Sequence, residues 1–305
     1  MRVARCAAKN VDHRPALLLL LKQRLTALLD AMPAAQAGDM RSVHQARVAT
    51  RRLREALPVL RTSLDDQALG RAERQVRKMT RALGPVRELD VALAQVDELA
   101  SHNVVSTSAI SRLRQTIARE QFARRRELLA AITPGKMERL RQRLARAGES
   151  GGEALPPPAT LDESHMQVVR RARQLATAVD RAGGLYLPDR LHAVRIAAKK
   201  LRYALEIERE LKRSKGTARV NQLKRLQDLL GRMHDYEILI DRTRQVQAEI
   251  AGRDRKLTAD LDTIIRTLEA QCRADHATYM RRRPAVLKLC HTLVGEDDVS
   301  SSAVA

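Results

Sequence analysis

The chain carries one basic stretch twice. The first copy occupies residues 42–57 and the second residues 191–205. With His44 aligned to His192, Arg47 meets Arg195, Val48 meets Ile196 and Arg51-Arg52 meet Lys199-Lys200. Leu53-Arg54 then meet Leu201-Arg202, and Leu57 meets Leu205. Internal similarity of this density points to two copies of one structural unit, so it constrains the architecture more than any single motif.

Each copy reads as a helix with two unlike faces. At ~100° per residue, His44, Arg47, Arg51 and Arg54 fall at i, i+3, i+7 and i+10, which is one stripe, with Arg52 beside it. Ala46, Ala49, Leu53, Ala56 and Leu57 lie opposite. The second copy divides in the same way. His192, Arg195, Lys199 and Arg202 form the stripe, flanked by Lys200, with Val194, Ala197, Leu201 and Leu205 behind it. A solvated helix face ordinarily mixes charges and gains from Glu–Lys pairs one turn apart. Here Glu55 is the one acid of the first copy, and the second has none before Glu206. Like charges stacked on one face repel, and an anion that bridges them removes that repulsion. The stripes therefore read as anion sites.

The repeat has further blocks. Leu83-Gly84-Pro85-Val86-Arg87-Glu88-Leu89-Asp90-Val91 matches Leu230-Gly231-Arg232-Met233-His234-Asp235-Tyr236-Glu237-Ile238, and Phe122-Ala123-Arg124-Arg125-Arg126 resembles Tyr279-Met280-Arg281-Arg282-Arg283. Three blocks in the same order imply two duplicated helical bundles, for which a pseudo-two-fold arrangement is the simplest packing. Composition agrees with an all-α fold: aromatics are 2% of the 305 residues, with no Trp, one Phe and four Tyr. The residues that favour strands are correspondingly scarce.

Helices are predicted over 15–32 (capped by Asp12), 39–60 (capped by Asp39 or Ser42), 65–83, 86–100, 108–132 and 135–147. Gly84-Pro85 is the predicted stop between the third and fourth. Gly151-Gly152 and Pro156-Pro157-Pro158 mark a linker at mid-chain. Helices resume at 162–181, 189–211, 217–230, 235–250, 255–281 and 284–293. The expected organisation is an N-terminal half at 10–147, a linker at 148–161, a C-terminal half at 162–293 and a polar tail at 294–305.

Charge and cysteine content limit the partners. Against 36 Asp+Glu stand 57 Lys+Arg, a formal charge of +21. Such an excess directs the chain to polyanions: nucleic acid, an anionic membrane surface or a phosphate polymer. The longest apolar run, from Ala16 to Leu21, ends at Lys22 and is far too short to span a bilayer. Cys6, Cys272 and Cys290 are odd in number and widely spaced, which implies no disulfide framework. With no signal peptide evident, a soluble cytoplasmic protein is expected, without membrane partners.

The paired blocks resemble the CHAD family, the conserved-histidine α-helical domain. The residues that carry the resemblance are His44-x-x-Arg47-Val48-x-x-Arg51-Arg52-Leu53-Arg54, Leu83-Gly84-x-x-Arg87-x-x-Asp90-Val91, His192-x-x-Arg195-Ile196-x-x-Lys199-Lys200-Leu201-Arg202-Tyr203 and Leu230-Gly231. It covers roughly 10–293. The resemblance implies two helical bundles around a basic central channel and binding of inorganic polyphosphate, with attachment to polyphosphate granules as one role. It implies no reaction. Glu88 and His234 depart from the family pattern, which usually has Asp and Asn there. Arg87, Asp90 and Asp235 are read as structural. Many family members carry an additional triphosphate-tunnel (CYTH) domain marked by an ExExK strand. Glu208-Arg209-Glu210-Leu211-Lys212 spells that pattern, but on a helix its three key side chains diverge and no β-rich surroundings exist. The resemblance is therefore to a CHAD domain without a CYTH partner, and no triphosphatase activity is expected.

Polyphosphate is a flexible polyanion without bases, so holding it takes a path of cations and no sequence readout. Arg donates bidentately to phosphate oxygens and Lys adds point charge. The expected ligands are His44, Arg47, Arg51, Arg52, Arg54, His192, Arg195, Lys199, Lys200 and Arg202. For the two histidines a packing role is the alternative. Arg124, Arg125, Arg126, Arg281, Arg282 and Arg283 form a second tier. Nonspecific nucleic-acid binding is the competing function, although single-strand binders use aromatic platforms that this chain lacks. A metal site built from Cys272 and His276, from Cys290 and His291, or from His44 and His192 matches no strong zinc spacing and sits among arginines. No metal, cofactor or catalytic residue is expected, and no enzyme activity.

Overall fold

The computed structural model describes residues 14–61, 64, 66–101, 106–149, 159–212 and 217–302. Every regular element among them is an α-helix. In chain order these are α1 (Arg14–Gln36), α2 (Met40–Leu60), α3 (Asp66–Ser101), α4 (Thr107–Ala131), α5 (Pro134–Glu149), α6 (Ala159–Ala182), α7 (Pro188–Leu211), α8 (Ala218–Ile250) and α9 (Arg255–Ser302). The basic stretches are α2 and α7. Asp39 caps α2, accepting a hydrogen bond from the Ser42 backbone N–H at 2.7 Å. Pro188 opens α7 at a position where its missing N–H costs nothing. The predicted cap Asp12 lies outside the described residues, as does the glycine and proline-rich stretch 150–158.

Several predicted breaks are absent. One helix, α3, runs through Gly84 and Pro85, α8 runs through Gly231, and α9 runs through Pro284 and on to Ser302. Likewise α1 continues past Pro33. A proline inside a helix costs about 3 kcal/mol. Around Pro85, however, Leu83, Val86 and Leu89 are all fully buried. Each such side chain contributes about 1.5–3 kcal/mol on burial, so packing on both sides of the break outweighs the local penalty. Tyr279, Val286 and Leu289 bridge Pro284 in the same manner.

Among the described residues the apolar side chains gather in three cores. The first gathers residues of α1, α2, α5 and the first part of α3, the second those of α6, α7, the first part of α8 and the later part of α9. The third mixes the halves: Leu89, Val96 and Leu113 pack with Leu239, Ile264 and Leu268. Thus α3 and α8 each leave the core of their own half and enter a shared one, and Gly84 and Gly231 precede that passage. The C-terminal end of α7 crosses in the other direction, placing Ile207 and Leu211 in the first core. Ion pairs join the same elements. Arg24 of α1 grips Glu210 of α7 at 2.6 and 2.7 Å, and Arg171 of α6 reaches Glu55 of α2 at 3.5 Å.

Candidate functional site

Amphipathicity positions the two stripes. On α2 the residues Val43, Ala46, Leu53, Ala56 and Leu57 are fully buried, which turns Arg47, Arg51 and Arg54 to the opposite side. On α7, buried Leu191, Val194, Ala198, Leu201 and Leu205 turn Arg195 and Lys199 the same way. The passage segments of α3 and α8 contribute Arg87 and Glu88, and His234 and Asp235. These meet around a cavity of about 410 Å³ whose lining includes His44, Arg47, Arg51, Arg87, Arg195 and His234.

The glycines of the second repeated block have a reason here. A Cβ placed on Gly84 would stand 2.9 Å from a guanidinium nitrogen of Arg47. The Arg47 side chain thus lies against bare helix backbone. At Gly231 the corresponding neighbour is Arg195, at 4.0 Å. In both halves the first arginine of the stripe approaches the glycine of the partner helix.

The cluster is dominated by charges of one sign. Burial, followed by Arg51 and Arg195, brings the Arg47 guanidinium down to about 10. Burial also lowers Arg51, while a hydrogen bond to the Tyr203 hydroxyl partly offsets it. Lys199 drops to about 6, first through burial and then through Arg51, Arg195, Arg47 and Arg54. Burial and the same cations lower His44 and His192 and push His234 down to about 3. Asp235 is the acid whose charge acts on Arg195, and burial raises it against the pull of Arg195, Arg87 and Arg47. Among the described residues, Arg47, Arg51, Arg195 and Lys199 form no ion pair with a carboxylate. Desolvated cations outnumber lining acids such as Glu88 and Asp235, and an anion seated among them relieves both burial and repulsion.

The other predicted ligands are differently engaged. Arg202 donates to Glu206 at 2.7 Å and to Gln227 at 2.9 Å, with its guanidinium 4.6 Å from the centre of the Tyr203 ring. Arg52 pairs with the same Glu206 at 3.4 Å, and Arg54 stands 3.8 Å from Glu55. Lys200 is half-buried off the stripe. His192 touches His234, Nδ1 to Nδ1, at 3.3 Å. The second tier lies outside the cluster. Arg124 pairs with Glu127 at 2.9 Å on its own helix, Arg125 donates to buried Asp90 at 3.4 Å, and Arg126 is exposed. Arg281 donates to Thr278, Arg282 to the Arg225 carbonyl, and Arg283 to Asp180.

Sequence reasoning missed some of the lining. Arg87 and Asp235, read there as structural, face the cavity, as do Glu88 and His234. The signal was present, since Arg87 aligns with His234 and Glu88 with Asp235 in the second repeated block. Asp90 keeps a structural place, fully buried and accepting from Gln121 at 2.5 Å. Glu208 and Glu210 are helical and diverge, one bonded to His165 and Lys212, the other to Arg24. Cys272 and Cys290 are buried thiols raised by burial to about 11 and about 12. Among the described residues no group of three or more His, Cys, Asp or Glu side chains could hold a metal, and no helix is long and apolar enough to cross a membrane.

The model of the CHAD domain family matches residues 19–244, from α1 through most of α8. The chain belongs to the CHAD family. Two uncharacterised proteins of Mycobacterium tuberculosis, from different strains, are each 29% identical to it over 260 residues, 82% of this chain and 48% of theirs. This CHAD chain thus spans about half the length of the curated relatives it matches. Among solved structures it is similar to the CHAD domain from the plant Ricinus communis, with TM-score 0.67 and 23% identity over 95% of this chain and 96% of that one. It is also similar to PptA from Streptomyces chartreusis, with TM-score 0.63 and 15% identity over 92% and 99%. At such identities the likeness is one of fold. The family match spans both stripes and both glycines of this CHAD domain.

Proposed function

We propose that this CHAD domain binds inorganic polyphosphate in the cation cluster between α2 and α7. In this reading the two bundles are related by a pseudo-two-fold axis and the stripes face each other across a basic central channel. The observation that carries the proposal is the convergence of Arg47, Arg51, Arg195 and Lys199 from two helices, desolvated and in mutual repulsion. A chain of phosphates supplies repeated charge along such a cluster, and guanidinium forks fit its oxygens. Arg52 and Arg202, shared on Glu206, form one end of the path, where an incoming phosphate would compete with a carboxylate. The scarcity of aromatic side chains weighs against nucleic acid, whose single strands bind by base stacking. The role is binding without turnover, in the cytoplasm and at polyphosphate granules.

The test titrates purified protein with tripolyphosphate, longer polyphosphates and RNA at several salt concentrations. Affinity should rise with polyphosphate length, fall steeply with salt, and exceed that for RNA of equal charge. RNA binding equal to or tighter than that of long polyphosphate would overturn the reading.

A further inference from the structure

Beyond the cavity each stripe meets a buried acid. The lining stops at Arg51 on α2 and at Arg195 on α7. The arginines that follow are held by the protein itself. Arg202 donates from Nε to the Gln227 side-chain oxygen at 2.9 Å and from a terminal nitrogen to Glu206 at 2.7 Å. The other oxygen of Glu206 lies 3.4 Å from Nε of Arg52. Glu55 stands between Arg54, at 3.8 Å, and Arg171 of α6, at 3.5 Å. These pairs form a belt from α8 through α7 and α2 to α6. Gln227 also lines the cavity, so the belt abuts it.

Two properties make the belt a boundary and not a continuation of the site. Its acids are buried, with Glu206 5% and Glu55 8% exposed. A buried carboxylate that loses its cation is costly, so a phosphate could take Arg52 or Arg202 only by stranding Glu206. Phosphate oxygens drawn up to those arginines would also stand beside a carboxylate of their own sign. On the cavity side the balance is different. Among the described residues Arg47, Arg51 and Arg195 form no ion pair with a carboxylate, so a phosphate reaching them breaks none.

We infer that Glu206 is a specificity-determining residue of the anion site: it withholds Arg52 and Arg202 from phosphate and ends the path at the belt. The inference rests on the reading that the cluster takes polyphosphate, and it sets how much of the polymer is gripped. From His44 to Arg51 the α2 stripe offers about 10 Å, against about 15 Å for the whole row as far as Arg54. The cations past Arg51 serve to hold the four helices together.

The experiment titrates the whole protein with one long polyphosphate between about 50 and about 200 mM salt, where each phosphate contact accounts for about a threefold loss of affinity. It compares the native protein with Arg52→Gln, Glu206→Gln and the double variant. Arg52→Gln should keep the native salt dependence, because Arg52 neutralises no phosphate. Glu206→Gln retains the shape of the side chain and an oxygen that can accept from Arg202. It should bind more tightly at low salt and lose about tenfold more affinity over the range, having gained contacts at Arg52 and Arg202. Adding Arg52→Gln should remove about threefold of that extra loss. A packing role for Glu206 would not make the effect of Arg52 depend on it in this way. A weaker salt dependence in Arg52→Gln alone, or native affinity and salt dependence in Glu206→Gln, would overturn the inference. Should Glu206→Gln fail to fold, Arg52→Gln decides by itself: an unchanged salt dependence supports the inference and a weaker one overturns it. A native protein that binds no polyphosphate sinks the proposed function and this inference with it, whereas native binding with either overturning result sinks this inference alone.

Discussion

Polyphosphate binding should draw a proton from solvent, and Lys199 should be its destination. In the empty cluster the amine titrates at about 6, so at pH 8 it is neutral in about 99% of molecules. A polyanion seated among Arg47, Arg51 and Arg195 reverses the sign of the surrounding potential and returns the amine toward its ordinary value of 10.5. Each molecule should then take up about one proton on binding at pH 8, and few at pH 5, where the amine is already charged. The cost of that protonation is about 1.4 kcal/mol per pH unit above 6, or about 2.7 kcal/mol at pH 8. Affinity should therefore tighten by about fiftyfold between pH 8 and pH 6, where half of the amines are already charged. Calorimetry in two buffers of different ionisation enthalpy counts the protons directly. Lys199→Gln, uncharged at every pH, should lose the uptake and most of the pH dependence, so that it falls behind the native protein chiefly at pH 6. The empty protein gives the opposite sign. A folded-state value held below the unfolded one makes the fold lose stability as pH falls from about 10.5 toward 6, so Lys199→Gln should raise the melting temperature of the empty domain most at low pH. Absence of proton uptake at pH 8 would refute the reasoning, and the same uptake in the variant would move the proton to the histidines.

Replacing Arg51 and Lys199 by Ala should weaken polyphosphate binding and reduce the slope of log affinity against log salt by about one for each phosphate no longer neutralised, read by titration at several salt concentrations. Neutralising the α2 stripe with Arg47, Arg51 and Arg54→Gln should abolish most of the preference for long chains over tripolyphosphate, because a stripe of about 15 Å acting alone offers no second, intramolecular foothold. Calorimetry with the two ligands decides this. Gly84→Ala should leave the helix intact or stabilise it by up to about 1 kcal/mol. It should nevertheless weaken binding, since its Cβ would stand 2.9 Å from Arg47, whereas Gly231→Ala, at 4.0 Å from Arg195, should bind as the native protein does.

The stripes were legible because a period of 3.6 residues separates the leucines of each basic stretch from its arginines, and burial follows that period closely. The helix ends were less so. Gly84-Pro85, Gly231 and Pro284 have the local chemistry of stops, yet buried side chains on either side carry each helix through. That distinction depends on what lies across the core, which no local pattern contains. Arg52 and Arg202 look like free ligands in sequence; only the packing of α2 beside α7 gives Glu206 to both. The arginine triplets likewise find Asp90, Glu127 and Asp180 on faces turned from the cluster. Arg87 reads in sequence as pinning a helix start after Pro85, and its place in the cavity follows only from α3 continuing through that proline.

The shared third core has a consequence for how the molecule comes apart. Because α3 and α8 each divide their apolar residues between a private core and the common one, neither half holds a complete interior of its own. An isolated N-terminal half would present Leu89, Val96 and Leu113 to water, and an isolated C-terminal half would present Leu239, Ile264 and Leu268 along with the orphaned end of α7. The two halves should therefore melt as one. Cut within residues 150–158, the two fragments should each be insoluble or loosely collapsed alone and should regain native helicity only on mixing, so that assembly of the anion site and completion of the fold are the same event.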